Sequence, residues 1–233
     1  MAKLVVIDPG HGGKDPGAVG HGLKEKELVL TISQGMERAL KRDWEVEVAL
    51  TRRDNDTFLE LDERARFAND RGAAAFVSVH INAAATPAAR GFETYRHTGA
   101  AVGSGAANIQ STMHAGILGA LRRHGVADRH EKSANFAVLR LTAMPAVLTE
   151  NLFITSGEDA AILKQSAVLH EVAEAHALGL ARALGLKPKN ADDKHRVIAD
   201  GVPIGTFRDD DKVGAAVTEA VRKGAKRVEV VEI

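Results

Sequence analysis

Val5-Val6-Ile7-Asp8-Pro9-Gly10-His11-Gly12-Gly13-Lys14-Asp15-Pro16-Gly17-Ala18 is the stretch around which the rest of the chain is organised. The β-branched run Val5 to Ile7 suits a buried strand, and Pro9 with Gly10 cannot continue one. These residues predict a strand whose C-terminal end opens into a glycine-rich loop carrying His11. In open α/β sheets that edge is where ligands bind.

Outward from this stretch, composition narrows the choices. A chain of 233 residues can hold one substantial core and a small appended unit. Lys+Arg and Asp+Glu both number 31, so no net charge draws the chain to nucleic acid or an anionic membrane. The absence of cysteine excludes disulfides, thiolate nucleophiles and thiolate metal sites, so a metal here needs His and carboxylate ligands. The first strand begins at Lys3, leaving no room for a signal peptide, and no apolar run reaches membrane-spanning length. The expectation is a chain made in the cytoplasm, which reaches an outside target only once something else releases it.

After the His11 loop, Leu28, Ile32, Met36 and Ala39 recur at helical spacing as a core stripe. Glu25 falls on that stripe, whereas Glu27 shares a solvated face with Gln34 and Arg38. A carboxylate on an apolar face needs a partner. A first-turn glutamate that complements the helix dipole is the plain alternative. Glu45 to Leu50 alternates as a second strand, followed by the polar turn Thr51 to Asp56. Leu61 to Asn69 reads as a short helix packing through Leu61, Ala65 and Ala68. Ala73 to Asn82 is a near-continuous apolar run, the pattern of a central strand covered on both faces. Period-two geometry puts Ser78, His80 and Asn82 on one side, with His80 near the C-terminal end.

Gly91 to Tyr95 is a further strand, and Thr98 to Gly105 is a small-residue loop, either a mobile substrate loop or a surface connection. A helix from about Ala107 to His124 turns Ile109, Met113, Gly116, Ile117 and Ala120 inward. Lys132 to Arg140 reads as polar loop into strand, and Val147-Leu148 as a strand with Glu150-Asn151 where it emerges. Helical segments at about 157–164 and 167–184 close the domain, the second turning Val168, Val172, Ala175, Leu178 and Leu184 inward and stopping at Gly185.

The polar, proline-containing stretch 187–194 reads as a linker, which divides the chain into a domain at 1–186 and a module at 195–233. In that module Arg196 to Gly201 and Val202 to Phe207 form a hairpin around Asp200-Gly201, followed by a helix and a last strand. A ββαβ unit of this size has little core. Its arginines and lysines are matched by acids, so it lacks a nucleic-acid footprint, and polymer recognition or dimerisation are the tasks left to it.

Three strand tips carrying His11, His80 and Glu150, with Glu25 on a buried helix face, suggest one site. Two imidazoles and one carboxylate make a three-ligand zinc set with an open fourth position for water. The other carboxylate is then free to act as general base and acid. The helical His-Glu-x-x-His motif is absent.

Ile7 to Gly13, Leu23-Lys24-Glu25-Lys26, Leu50-Thr51-Arg52, Arg64 with Ala68-Asn69, Ser78 to Ala83, Gly91 to Thr94 and Pro145 to Glu150 occur in this order. Over residues 3 to about 185 the chain resembles the zinc-dependent N-acetylmuramoyl-L-alanine amidases of the type-3 class. The resemblance implies an α/β fold with a mixed, mainly parallel six-stranded sheet flanked by helices, ahead of the small ββαβ module. It also implies zinc held by His11, Glu25 and His80, with Glu150 as the catalytic carboxylate. Asn82 and Arg64 are weaker candidates for substrate binding or for support of the ligands. One departure is Thr149-Glu150-Asn151-Leu152-Phe153, because the family usually has a small or glycine pair after the glutamate.

The implied reaction cleaves the amide between the lactyl group of muramic acid and L-alanine, with peptidoglycan as partner and Zn2+ as cofactor. A zinc peptidase on another stem-peptide amide and a non-catalytic wall-binding or activator protein are the rival readings. The tail looks like small C-terminal modules of phage endolysins and sporulation amidases, which implies wall binding or self-association. This layout suits an endolysin released through a holin, or an enzyme acting at mother-cell lysis.

Overall fold

The computed structural model describes residues 2–189, 195–207 and 210–232. It comprises two compact units, Met1–Leu186 and Lys187–Ile233. Most of the stretch read as a linker, 190–194, lies outside the described residues. No described helix is long and apolar enough to cross a membrane.

In chain order the first unit contains β1 (Lys3–Pro9), a two-residue hairpin of β2 (Val19–Gly20) and β3 (Leu23–Lys24), α1 (Glu25–Asp43), β4 (Val46–Leu50) and α2 (Leu61–Asn69). There follow β5 (Ala75–Asn82), β6 (Phe92–His97), α3 (Gly105–Arg122), β7 (Asp128–Ala134) and α4 (Ala137–Arg140). The unit ends with β8 (Ala146–Phe153), α5 (Gly157–Leu163) and α6 (Ser166–Leu184). Six strands form one sheet in the order β4-β1-β5-β8-β6-β7. The first four run parallel, β6 runs antiparallel to β8, and β7 is parallel to β6. The sheet is mixed and mainly parallel, as the resemblance implied.

Period two explains how one apolar run serves two cores. Val5 and Ile7 join the larger core, with Val29, Ile32 and Met36 of α1, Met113 and Ile117 of α3, and Val172 and Leu180 of α6. Val6 points the other way and joins a smaller core with Phe76, Ala68 of α2, Val138 and Leu139 of α4, and Leu148. By the same alternation Ser78, His80 and Asn82 share the α2/α4 side of β5 with Phe76. That face of the sheet holds the candidate site.

Several expectations are corrected. Lys132 to Arg140 contains no loop-to-strand passage: β7 comes first and the short helix α4 follows it. Strand content in Asp128–Ala134 was masked by its charge, because β7 is an edge strand with one solvated side. In α3 Gly116 is exposed and Ala120 half-buried, while Gln110, His114, Leu118 and Leu121 are buried. Leu178 of α6 is exposed, and Leu61 of α2 lines the cleft with more than half its surface open, leaving Ala65 and Ala68 to pack. Glu150 does not stand at the tip of β8, which runs on to Phe153.

Described by itself, the second unit is a three-stranded antiparallel sheet in the order β10-β9-β11, formed by β9 (His195–Ala199), β10 (Val202–Phe207) and β11 (Val228–Glu232). A helix, α7 (Asp210–Arg222), joins β10 to β11. Val197 is fully buried and Ala220 nearly so, a small core in keeping with its length.

Candidate metal centre

Three separate elements bring His11, Glu25 and His80 together. His11 leaves the end of β1 in a left-handed conformation, φ 61°. Glu25 is the first residue of α1 and only 4% exposed, as its place on the apolar stripe predicts. His80 is the third residue from the end of β5. His11 Nε2 and His80 Nδ1 lie 3.1 and 3.0 Å from the same Glu25 oxygen, Oε1. The imidazole rings meet edge to face with centroids 5.0 Å apart. One ligand atom from each of the three residues falls within 4.8 Å of the others, the only such cluster of metal-ligating groups among the described residues.

Backbone donors hold the carboxylate in place: Ile81 N–H reaches Glu25 Oε1 at 3.0 Å and Ala18 N–H reaches Oε2 at 2.9 Å. Burial alone would raise the Glu25 carboxyl, but its bonds to His11 and His80 hold it well below the usual range. It is therefore an anion at neutral pH. For His11 burial works against the proton, yet Glu25 and Asp15 outweigh it and raise the imidazole. Gly17 completes the cradle at φ 65°, where an added Cβ would come within 2.7 Å of Glu25 Oε2 and of the His11 ring.

The residues present fit a divalent metal. Donor separations of 3.0 and 3.1 Å are close to the edge, ~3.4 Å, of a tetrahedron whose ligands lie ~2.1 Å from zinc. Two imidazoles with one carboxylate are also the donors that zinc accepts in open sites.

Glu150 sits beside this cluster on the cleft face. Its Oε2 is buried and has no hydrogen-bond partner among the described residues. Burial first, then the charges of Glu25 and Glu93, push its carboxyl well above the usual range. A β-bulge follows it, with register shifting between His80 and Asn82 on β5. The bulge puts Leu152 at φ 70°, a conformation costly for a side chain with a Cβ by about 1–3 kcal/mol. This is where the sequence departs from the family's small pair, and the Leu152 side chain is buried, which offsets part of that cost.

The weaker candidates take different places. Asn82 lines the cleft and donates Nδ2 to Glu93 Oε1 at 2.7 Å. Arg64 is almost wholly buried and holds the His11 loop from below, donating to Asp8 Oδ1 at 2.9 Å, Pro9 O at 2.8 Å and His11 O at 2.6 Å. Sequence reasoning passed over Asp15, Asp8 and Glu93. Asp15 was detectable as an acid four residues after His11 in a glycine-rich loop. Asp8 and Glu93 carry little local signal, since most of their partners come from segments distant in the chain.

The cleft itself measures about 520 Å³ and opens over His11, His80 and Glu150. Phe58, Leu59 and Leu61 wall it on one side and Phe136, Ala137 and Val138 on another.

Fold and site define an α/β protein with a cluster able to hold a metal at the carboxyl end of its parallel strands. The chain belongs to the N-acetylmuramoyl-L-alanine amidase family, whose model matches residues 5–182. It is 50% identical over 167 residues to an endolysin of Bacillus phage SPP1, covering 72% of this chain and 60% of that protein. To the sporulation-specific N-acetylmuramoyl-L-alanine amidase of Bacillus subtilis (strain 168) it is 43% identical over 167 residues, covering 72% and 62%. The chain thus spans about three fifths of the length of these curated relatives. Among solved structures, the catalytic domain of CwlV, an N-acetylmuramoyl-L-alanine amidase from Bacillus (Paenibacillus) polymyxa var. colistinus, superposes with a TM-score of 0.73. That match is 38% identical and covers 79% of this chain and 99% of that one.

Proposed function

We propose that the chain hydrolyses the amide between N-acetylmuramic acid and the L-alanine of the peptidoglycan stem, with zinc held by His11, Glu25 and His80. The observation that carries this reading is the convergence of these three donors beside a buried, unpartnered carboxyl oxygen of Glu150. When bound, zinc supplies a Lewis acid that polarises the scissile carbonyl and acidifies water.

Glu150 performs the proton transfers. A carboxyl raised above its usual range is, once ionised, a stronger base toward the attacking water than an ordinary glutamate, and the proton it gains there is the one it passes to the leaving amine. Asn82 at the cleft is placed to orient substrate, and Arg64 acts indirectly by fixing the loop that carries His11. The apolar side chains of the cleft wall offer contact surface to the substrate beside the reacting amide. By analogy with modular wall hydrolases, the second unit is read as a wall-binding or self-association module, and its exposed Val202, Ile204 and Val230 offer the contact surface.

The test pairs zinc content with digestion of purified wall by wild type and Glu150→Gln, followed by analysis of new amino termini. One zinc per chain, new N-terminal alanine from wild type and none from the variant are expected. Other amino termini would move the reading to a zinc peptidase, and no zinc with no cleavage would move it to a binding protein.

A further inference from the structure

Next to Glu150 the same face of the sheet carries a basic pair for which the hydrolysis itself has no use. Glu93 lies directly opposite Glu150 in the antiparallel β6–β8 ladder, so the two side chains share the cleft face. Glu93 is 2% exposed and accepts four donors: Asn82 Nδ2 and the Tyr95 hydroxyl at 2.7 Å each, Arg129 Nε at 2.7 Å and Lys132 Nζ at 2.5 Å. Since Asn82 lines the cleft, Arg129 and Lys132 stand two hydrogen bonds away from it.

The pair is more than Glu93 needs. Two cations serve one carboxylate, which is already satisfied by two neutral donors. Arg129 spends only Nε on it, and its two terminal nitrogens make no hydrogen bond among the described residues. The guanidinium plane is steadied by the Phe153 ring, 4.7 Å away. The Lys132 ammonium makes one hydrogen bond and lies 5.9 Å from the Tyr95 ring centroid. Both side chains remain about one-third exposed, 35% and 36%. A planar fork with two free donors beside an ammonium is the arrangement that binds a carboxylate bidentately.

In a peptidoglycan stem the residue after L-alanine is a glutamate, with a free α-carboxylate, or its amide, isoglutamine. We propose that Arg129 and Lys132 form a carboxylate subsite for this second stem residue, making the chain selective for stems that are not amidated there. The proposal rests on the amide-hydrolysis reading above. Isoglutamine would leave the fork facing a carboxamide, which offers one acceptor in place of two and no charge. A site built for a charged acceptor discriminates strongly against such an analogue.

The experiment compares muramoyl-L-alanyl-D-glutamate and muramoyl-L-alanyl-D-isoglutamine as substrates for the zinc-loaded full chain. Wild type is expected to favour the glutamate substrate by at least about tenfold in kcat/KM, chiefly through KM. Arg129→Met and Lys132→Met each raise KM several-fold more for the glutamate substrate than for the isoglutamine substrate. Arg129→Lys keeps a cation for Glu93 but removes the fork, so it shows the same selective loss even if the methionine variants fail to fold. Equal rates on both substrates in wild type would overturn the proposal. So would an equal loss on both in the variants, the result expected if the pair only neutralises Glu93. Cleavage of neither substrate, with no alanine termini freed from whole wall, would overturn the hydrolysis reading beneath it.

Discussion

His11 donates its Nδ1 proton to Asp15 Oδ2 across 2.7 Å, and this turns its Nε2 toward Glu25 at 3.1 Å. Asp15 is itself fixed, because its Oδ1 accepts the Gly17 N–H at 2.9 Å and its backbone pairs with Gly12. Carboxylates that bond the far nitrogen of a metal-binding histidine set its orientation and tautomer, and losing one costs about 10–100-fold in metal affinity. Asp15→Ala is therefore expected to weaken zinc binding by about that factor, with Asp15→Asn less affected. Competition with a chromogenic chelator measures it. Unchanged affinity in Asp15→Ala would mean the loop backbone alone orients His11.

Gly10 leaves no space for a side chain: a Cβ there would lie 2.3 Å from His80 Cε1 and 2.7 Å from Nδ1. Its own N–H is tied to Val79 O at 3.0 Å, so the backbone cannot retreat without breaking that bond. Gly10→Ala is expected to displace the His80 ring and abolish stoichiometric zinc binding. Metal analysis after gel filtration decides it, and a full equivalent of zinc in the variant would contradict the close approach.

Arg64 and Asp8 form an ion pair with both side chains almost wholly buried, and Thr51 and Ser78 also donate to the carboxylate. Burial alone would raise Asp8, but Arg64, Thr51 and Ser78 together hold it below its usual value. Removing one partner leaves a buried charge uncompensated, at about 3–5 kcal/mol. Arg64→Met should lose stability of that order at pH 7 in urea unfolding. The sign with pH follows from linkage. The depressed Asp8 carboxyl stabilises wild type above the unfolded pKa, and that contribution is lost as pH falls through the folded value. The variant has no such contribution to lose, so its deficit shrinks as the pH is lowered. A deficit that stayed constant with pH would place its origin in lost packing.

His176 of α6 is fully buried, and burial depresses it to about 4 against only a partial offset from its bond to Val172. Its Nδ1 donates to Val172 O at 2.7 Å, and its Nε2 accepts the Thr149 hydroxyl at 3.0 Å. The folded state thus holds a neutral ring, whereas the unfolded chain takes up a proton below pH 6.5. Stability from this group is complete above pH 6.5 and is lost as pH falls toward about 4, by roughly 3 kcal/mol in total. His176→Gln should flatten that part of the stability–pH profile. Urea titrations at several pH values between 4 and 7 would show the slope persisting if another group is responsible.

Much of this could be read before any tertiary structure, for local reasons. The run Val5 to Ile7 closed by Pro9-Gly10 places a strand and a loop, and the stripe Leu28-Ile32-Met36-Ala39 places Glu25 on a buried face, because periodicity and backbone restriction act within a few residues. The position of Glu150 could be read from its place after Val147-Leu148, although the bulge that follows it could not.

The rest comes from contacts between residues far apart in the chain. The sequence holds His11, Glu25 and His80 as three residues, and parallel pairing of β1 with β5 sets both histidines around one carboxylate oxygen. Arg64 offers no hint of its role until α2 packs beneath the His11 loop and buries it against Asp8. Glu93 becomes the neighbour of Glu150, and a hub for Arg129 and Lys132, only because β6 enters the sheet antiparallel to β8. Local propensity determines what each segment becomes. The burial and charge that give these side chains their chemistry arise only when distant segments share one sheet edge.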